Sequence, residues 1–214
     1  MIRIENMSKK IRGRTVLDGI DHTFRDGMTY GLKGINGSGK TMLMRAVGGL
    51  IYPTQGRVLI DGKELGKEIS FPEDIGLLIE NPAFLDAYTG YGNLELLASL
   101  NGRAGDEEIR EILEKVGLDP DDTRKYRKYS LGMKQRLGIA AAFLEKPKIL
   151  LLDEPFNALD TDGVARFSRL IREGQERGAL IIMSCHEEGK LEEFADVILH
   201  MENGRIVREE EVGG

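Results

Sequence analysis

Short apolar runs bounded by turn residues dominate the first third of the chain. Residues 2–4, 16–24 and 28–32 read as strands, with Asp26-Gly27 as a turn before the third. Residues 41–50 take on helical character and stop at Gly48-Gly49. Residues 56–60, followed by Asp61-Gly62, read as a strand and turn, and residues 75–79 as another short strand. The middle of the chain changes period. Residues 94–100, 107–116 and 131–144 are helical, and the second of these aligns Ile109, Ile112, Leu113 and Val116 on one face. Asp106 is its expected N-cap and Gly117 its stop. The last third alternates again: a fully apolar strand at 148–152, an amphipathic helix at 164–175 and a buried strand at 180–183. A short acidic helix around Leu191 and two strands, 197–199 and 205–207, flanking Asn203-Gly204 complete it. The tail from Glu209 onward is expected to fray.

Continuous apolar strands separated by helices predict an α/β fold whose sheet is largely parallel and covered on both faces. Residues 84–146 then form a helical subdomain inserted between two strands. At 214 residues the chain has room for one large domain with a substantial core. No run approaches the 18 apolar residues of a membrane span, and residues 1–10 lack the apolar block of a signal peptide. One cysteine, Cys185, excludes an internal disulfide framework and suits a reducing cytoplasm. The formal net charge of -6 argues against a nucleic-acid binder. Two local basic runs stand out, Lys9, Lys10, Arg12 and Arg14, then Arg124, Lys125, Arg127 and Lys128. Each reads as a solvated loop surface. The first also lies close to a phosphate-binding pattern, and the second suits an acidic partner or lipid headgroups.

That pattern is Gly34-Ile35-Asn36-Gly37-Ser38-Gly39-Lys40-Thr41, set between a strand and a helix as the phosphate-binding loop requires. Its glycines let successive N–H groups point at phosphate oxygens, and the helix N-terminus adds a positive dipole. Lys40 reaches terminal phosphates and the Thr41 hydroxyl can ligate Mg²⁺. A second signal is the apolar strand that delivers Asp153 and Glu154 at its C-terminal end, where ligands of open α/β sheets bind. Asp153 suits a place around Mg²⁺ and Glu154 suits orienting and polarising an attacking water.

With Tyr129-Ser130-Leu131-Gly132-Met133-Lys134-Gln135-Arg136, these motifs make the chain resemble the nucleotide-binding subunits of ABC transporters over nearly its whole length. The resemblance implies a P-loop NTPase of the ABC type, with an antiparallel N-terminal β-subdomain and one ATPase domain over residues 1–214. Its nucleotide-binding core would span about 1–83 and 147–214, and its helical signature subdomain about 84–146. It implies ATP and Mg²⁺ as ligands. It further implies that Ser130, Gly132 and Gln135 belong to the signature, that Asp160 belongs to the D-loop, and that His186 reads the γ-phosphate beside Glu154. Glu80 stands where the family carries the Q-loop glutamine and would join Thr41 and Asp153 at the metal. Read without the resemblance, Ser130 is an ordinary N-cap and His186 a structural histidine. The expected partners are a second ATPase subunit, identical or not, docked head to tail, and a membrane permease meeting residues 81–92. Phe84, Leu85, Tyr88 and Tyr91 would form the apolar patch there. The chain would then sit on the cytoplasmic face of the cell membrane.

Three departures qualify the resemblance. Ile11 occupies the place of the aromatic that stacks on adenine, and offers apolar contact without a π face. The signature lacks its double glycine, and Glu80 replaces glutamine. The last two are similar to drug, bacitracin and lantibiotic exporters and immunity systems. The alternative is a soluble ATPase of another process, such as iron–sulfur cluster assembly. No guanine-specifying Asn-Lys-x-Asp stretch points to a GTPase.

Overall fold

A computed structural model of the chain describes residues 1–80, 83–185 and 189–212, with Asn101 described by its backbone alone. Two sheets form the frame. The first is antiparallel and has four strands, β1 (Ile2–Ile11), β2 (Arg14–Phe24), β4 (Gln55–Ile60) and β5 (Lys63–Glu64), in the order β2-β1-β4-β5. The second has β3 (Thr29–Lys33), β6 (Ile75–Leu78), β7 (Ile149–Leu152), β8 (Leu180–Ser184), β9 (Val197–Glu202) and β10 (Arg205–Glu211). Its order is β10-β9-β3-β8-β7-β6, parallel throughout except for the β9–β10 hairpin.

Helices occupy the places the apolar period assigns them. They are α1 (Lys40–Val47), α2 (Gly90–Asn101), α3 (Asp106–Val116), α4 (Leu131–Phe143), α5 (Thr161–Glu176) and the short α6 (Lys190–Phe194). Every residue of β7 is buried, and its side chains divide by alternation. Leu150 and Leu152 join the core shared with α2, α3, α4 and α5. Ile149 and Leu151 join the core shared with α1 and the antiparallel sheet. The central strands therefore have no solvent face, which is why they read as unbroken apolar runs.

Several ends differ from the sequence expectation. The N-cap of α3 is Gly105, whose N–H donates to Glu108 Oε2 at 2.8 Å, and Asp106 is the first helical residue. Asp106 is drawn instead to Tyr91 and Arg110. The strand β1 runs on to Ile11, twisted by register shifts against β2. The acidic tail does not fray through residue 211: Glu209, Glu210 and Glu211 pair with β9. An edge strand tolerates such charge because its outer side faces water, and Glu210 also contacts His200 Nε2 at 2.9 Å.

Helix α4 lies close to the sheet at Gly76. A Cβ there would meet Ala142 O at 1.9 Å and Leu150 Cδ2 at 2.9 Å. Only hydrogen allows the backbones of β6 and α4 this approach, and α4 carries the signature segment at its start. Gly76→Ala is expected to force the two apart and lower unfolding free energy by about 3 kcal/mol, at the upper end for overpacking. Urea denaturation of the variant checks this; an unchanged midpoint would show that α4 is free to shift.

Candidate functional site

The phosphate-loop segment leaves β3 and enters α1 with the backbone curl that its glycines permit. Gly37 and Gly39 have φ of 82° and 112°, a region L side chains rarely adopt. At Gly34 a Cβ would sit 2.4 Å from Met201 O and 2.6 Å from Ser38 Oγ. Ser38 N–H donates to Ile35 O at 3.1 Å, and the tip of the β9–β10 hairpin closes on the loop through Gly204 N–H to Ser38 O at 2.8 Å. Lys40 is 6% exposed and donates to Gly34 O at 2.6 Å and Ile35 O at 3.2 Å. Burial pushes its ammonium below the ordinary lysine value, while Glu154 and Asp153 pull it back up.

Asp153 meets the start of α1 from the end of β7. It is 7% exposed, and both carboxylate oxygens are satisfied: Thr41 Oγ1 donates to Oδ2 at 2.7 Å and Ser184 Oγ donates to Oδ1 at 2.6 Å. The same Ser184 hydroxyl accepts from the Glu154 N–H at 3.0 Å and lies 3.5 Å from Glu154 Oε1. Glu154 has a left-handed φ of 50°, which turns the chain sharply as it leaves β7. Gln135, from α4, is buried and donates to Pro155 O at 3.0 Å, tying the signature helix to the segment after Glu154.

These groups surround a cavity of about 660 Å³, lined by Asn36, Gly37, Gly39, Lys40, Thr41, Glu80, Asp153 and Glu154, with Arg14, Thr15, Val16, Met42, Asn203 and Gly204. A smaller cavity, about 340 Å³, is lined by Glu80, Gln135, Asp153, Glu154 and Asn157. A glycine-rich loop, a buried ammonium and a helix N-terminus on one wall suit a polyphosphate. Thr41 and Asp153 present two hard oxygen ligands, the chemistry a small dication such as Mg²⁺ takes.

Of the other residues singled out in the sequence, Ile11, Ser130, Gly132 and Asp160 do not line the large cavity. Ile11 is 38% exposed at the end of β1 and does not line it; Arg14, across the β1–β2 hairpin, does. Ser130 caps α4 by accepting from Met133 N–H at 3.2 Å. Gly132 packs at the loop that follows Glu154, where a Cβ would meet Ala158 O at 3.0 Å. Asp160 caps α5, accepting from Gly163 N–H at 2.8 Å and from Arg136 Nη2 at 2.5 Å. Glu80 lines both cavities, but its carboxylate pairs with Arg45 at 2.6 Å. His186 lies outside the described residues, as do Asn81 and Pro82 of the expected permease contact.

The four apolar residues picked for that contact divide. Phe84 packs edge-on against Tyr126, and the Tyr91 hydroxyl donates to Asp106 at 2.8 Å. Leu85 and Tyr88 stay 54% and 44% exposed. The sequence reading gave no role to Ser184, Arg45 or the Asn203-Gly204 tip. Ser184 carried one faint signal, a hydroxyl ending a strand otherwise made of Leu, Ile and Met. Arg45 stands four residues after Thr41 and hence on the same face of α1.

Comparison with known proteins finds similarity over the whole chain. The sequence model of the ABC transporter family matches residues 17–157. The chain is 47% identical to YybJ of Bacillus subtilis, an uncharacterized ABC transporter ATP-binding protein, over 99% of this chain and 97% of that one. It is 40% identical to the bacitracin transport ATP-binding protein BcrA of Enterococcus faecalis, over 98% of this chain and 68% of the relative. It is 35% identical to the lantibiotic transport ATP-binding protein SrtF of Streptococcus pyogenes, over 100% and 92%. Among solved structures, an ATP-binding subunit of an ABC transporter superposes with a TM-score of 0.90 at 26% identity, covering 99% of this chain and 90% of the other. A dimeric bacterial ABC transporter cassette does so with a TM-score of 0.88 at 26% identity, covering 100% of both.

Removing the buried ammonium tests the loop directly. Lys40→Ala is expected to weaken ATP binding about 100-fold, the scale of losing one desolvated charged contact. Calorimetric titration measures it, and an affinity equal to that of the parent chain would contradict the assignment of the loop.

Proposed function

The chain belongs to the ABC transporter family of ATP-binding proteins, and on that premise we propose that it hydrolyses ATP to drive a separate membrane permease. The observation that carries the reading is the polar junction of Thr41, Asp153, Ser184 and Glu154 beside Lys40, on one wall of a cavity sized for a nucleotide. Residues from three distant chain segments converge where a γ-phosphate, a dication and a water would meet.

Each residue has a share of the chemistry. The loop N–H groups at the start of α1 and the Lys40 ammonium bind and orient the triphosphate. Thr41 and Asp153 would hold Mg²⁺, which would supply positive charge against the phosphate oxygens. The Glu154 carboxylate orients the water and takes its proton as the water oxygen bonds to the γ-phosphorus. The bond from that phosphorus to the bridging oxygen breaks, leaving ADP and inorganic phosphate. Glu80, paired with Arg45 through Oε1, would be a further oxygen ligand for that ion.

The signature residues Ser130 and Gly132 stand away from the chain's own cavity, which supports their serving the nucleotide of a second subunit. Closure of such a sandwich on ATP and its release after hydrolysis would move the permease. Leu85 and Tyr88, exposed next to the segment that follows Glu80, are the apolar contacts left for it. Among the described residues no helix is long and apolar enough to cross a membrane. The names of BcrA and SrtF, a bacitracin and a lantibiotic transport ATP-binding protein, support antimicrobial peptides or drugs as the cargo. With the acidic Glu80 and the variant signature they favour export, with the ATPase at the inner membrane face.

Glu154→Gln keeps the shape of the side chain and removes the base. It is expected to bind ATP, lose at least about 100-fold in turnover and elute as an ATP-dependent dimer on size exclusion. Turnover at the parent rate would reject Glu154 as the base, and a dimer that ignores ATP would reject the sandwich.

A further inference from the structure

Glu80 sits just beyond β6 with a left-handed φ of 59°, and lines both the large and the small cavity beside Asp153 and Glu154. A third carboxylate at this place would repel a triphosphate. Arg45 answers that charge. It projects from α1 one turn beyond Thr41, and its Nη2 lies 2.6 Å from Glu80 Oε1. The side chains are 31% and 57% exposed, so the pair adds little to the stability of the fold. Its consequence falls on whatever enters the cavity.

We propose that Arg45 is a positioning residue for the nucleotide–metal site: it neutralises Glu80 until the dication arrives and then yields the carboxylate to it. This rests on the nucleotide reading above. The chemistry is an exchange of counter-ions. With Arg45 in place, a nucleotide without metal meets a neutral pair. With the metal present, its charge offsets Glu80, and the carboxylate is a ready oxygen ligand. Arg45 thereby sets how strongly nucleotide binding depends on Mg²⁺. It does so from α1, the helix that also carries Lys40 and Thr41.

The test is equilibrium binding of trinitrophenyl-ATP to the full chain, followed by fluorescence in EDTA and in excess Mg²⁺. Arg45→Gln is expected to weaken binding in EDTA about fivefold, the size of one unneutralised charge several ångströms from the terminal phosphates. Binding in Mg²⁺ should change little, so the gain in affinity that Mg²⁺ confers increases. Glu80→Gln should move that gain the opposite way, and the double variant, which again presents no net charge at this place, should bind in EDTA as the parent does. Arg45→Lys should behave as the parent. A parent-like Mg²⁺ gain in Arg45→Gln overturns the proposal. So does a double variant that binds in EDTA as weakly as Arg45→Gln alone, which would place the loss in the fold and not in an uncompensated Glu80 charge. A parent chain with no saturable binding in Mg²⁺ would remove the nucleotide reading and this inference together.

Discussion

A buried carboxylate at the end of a buried strand holds the site together. Asp153 emerges where β7 leaves the core, almost wholly out of water. Such a charge is costly unless its oxygens are satisfied. Thr41 answers one oxygen from the phosphate loop and Ser184 answers the other from β8. That single requirement ties together three segments that are 112 and 31 residues apart along the chain. It also fixes Glu154, because the Ser184 hydroxyl that donates to Asp153 accepts the Glu154 N–H.

The fold exists to bring those strand ends to one edge. Parallel strands covered on both faces direct their C-terminal ends the same way, and the loops that follow them share one rim. β3 sends out the phosphate loop, β6 sends out Glu80, β7 sends out Asp153 and Glu154, and β8 ends in Ser184. The antiparallel sheet adds Arg14, Thr15 and Val16 from β2, and the β9–β10 hairpin adds its glycine tip. Helix α4 packs against the sheet at Gly76 and is pinned by Gln135 to the backbone after Glu154. Any shift in that backbone is therefore felt at the start of the signature helix, where Gly132 meets Ala158.

What could be read from the chain alone follows from these constraints. The central strands β7 and β8 were legible because they are buried on both sides and hence almost unbroken in Leu, Ile and Met. The phosphate loop and the Asp153-Glu154 pair were legible because glycine spacing and adjacent acids at a strand end have few other uses. Ser184 was hidden because its role depends on which strand neighbours β7, and order within the sheet is not written in any one segment. The Arg45–Glu80 pair was hidden for the same reason: it joins residues 45 and 80 across the rim. Pairing of the acidic tail with β9 was missed because composition suggested solvent, whereas an edge strand accommodates both. Ile11 was chosen by alignment with the family pattern, but the hairpin brings Arg14 to the cavity instead.

The most direct test of this account is the turnover of Ser184→Ala at saturating ATP and Mg²⁺, set against its ATP affinity. The hydroxyl touches no part of the phosphate loop, so affinity should stay within about twofold. It supports Asp153 and orients Glu154, so turnover should fall about tenfold or more, as expected when a reacting group is displaced by a fraction of an ångström. Hydrolysis at the parent rate would contradict the claim that the polar junction around Asp153 positions the chemistry.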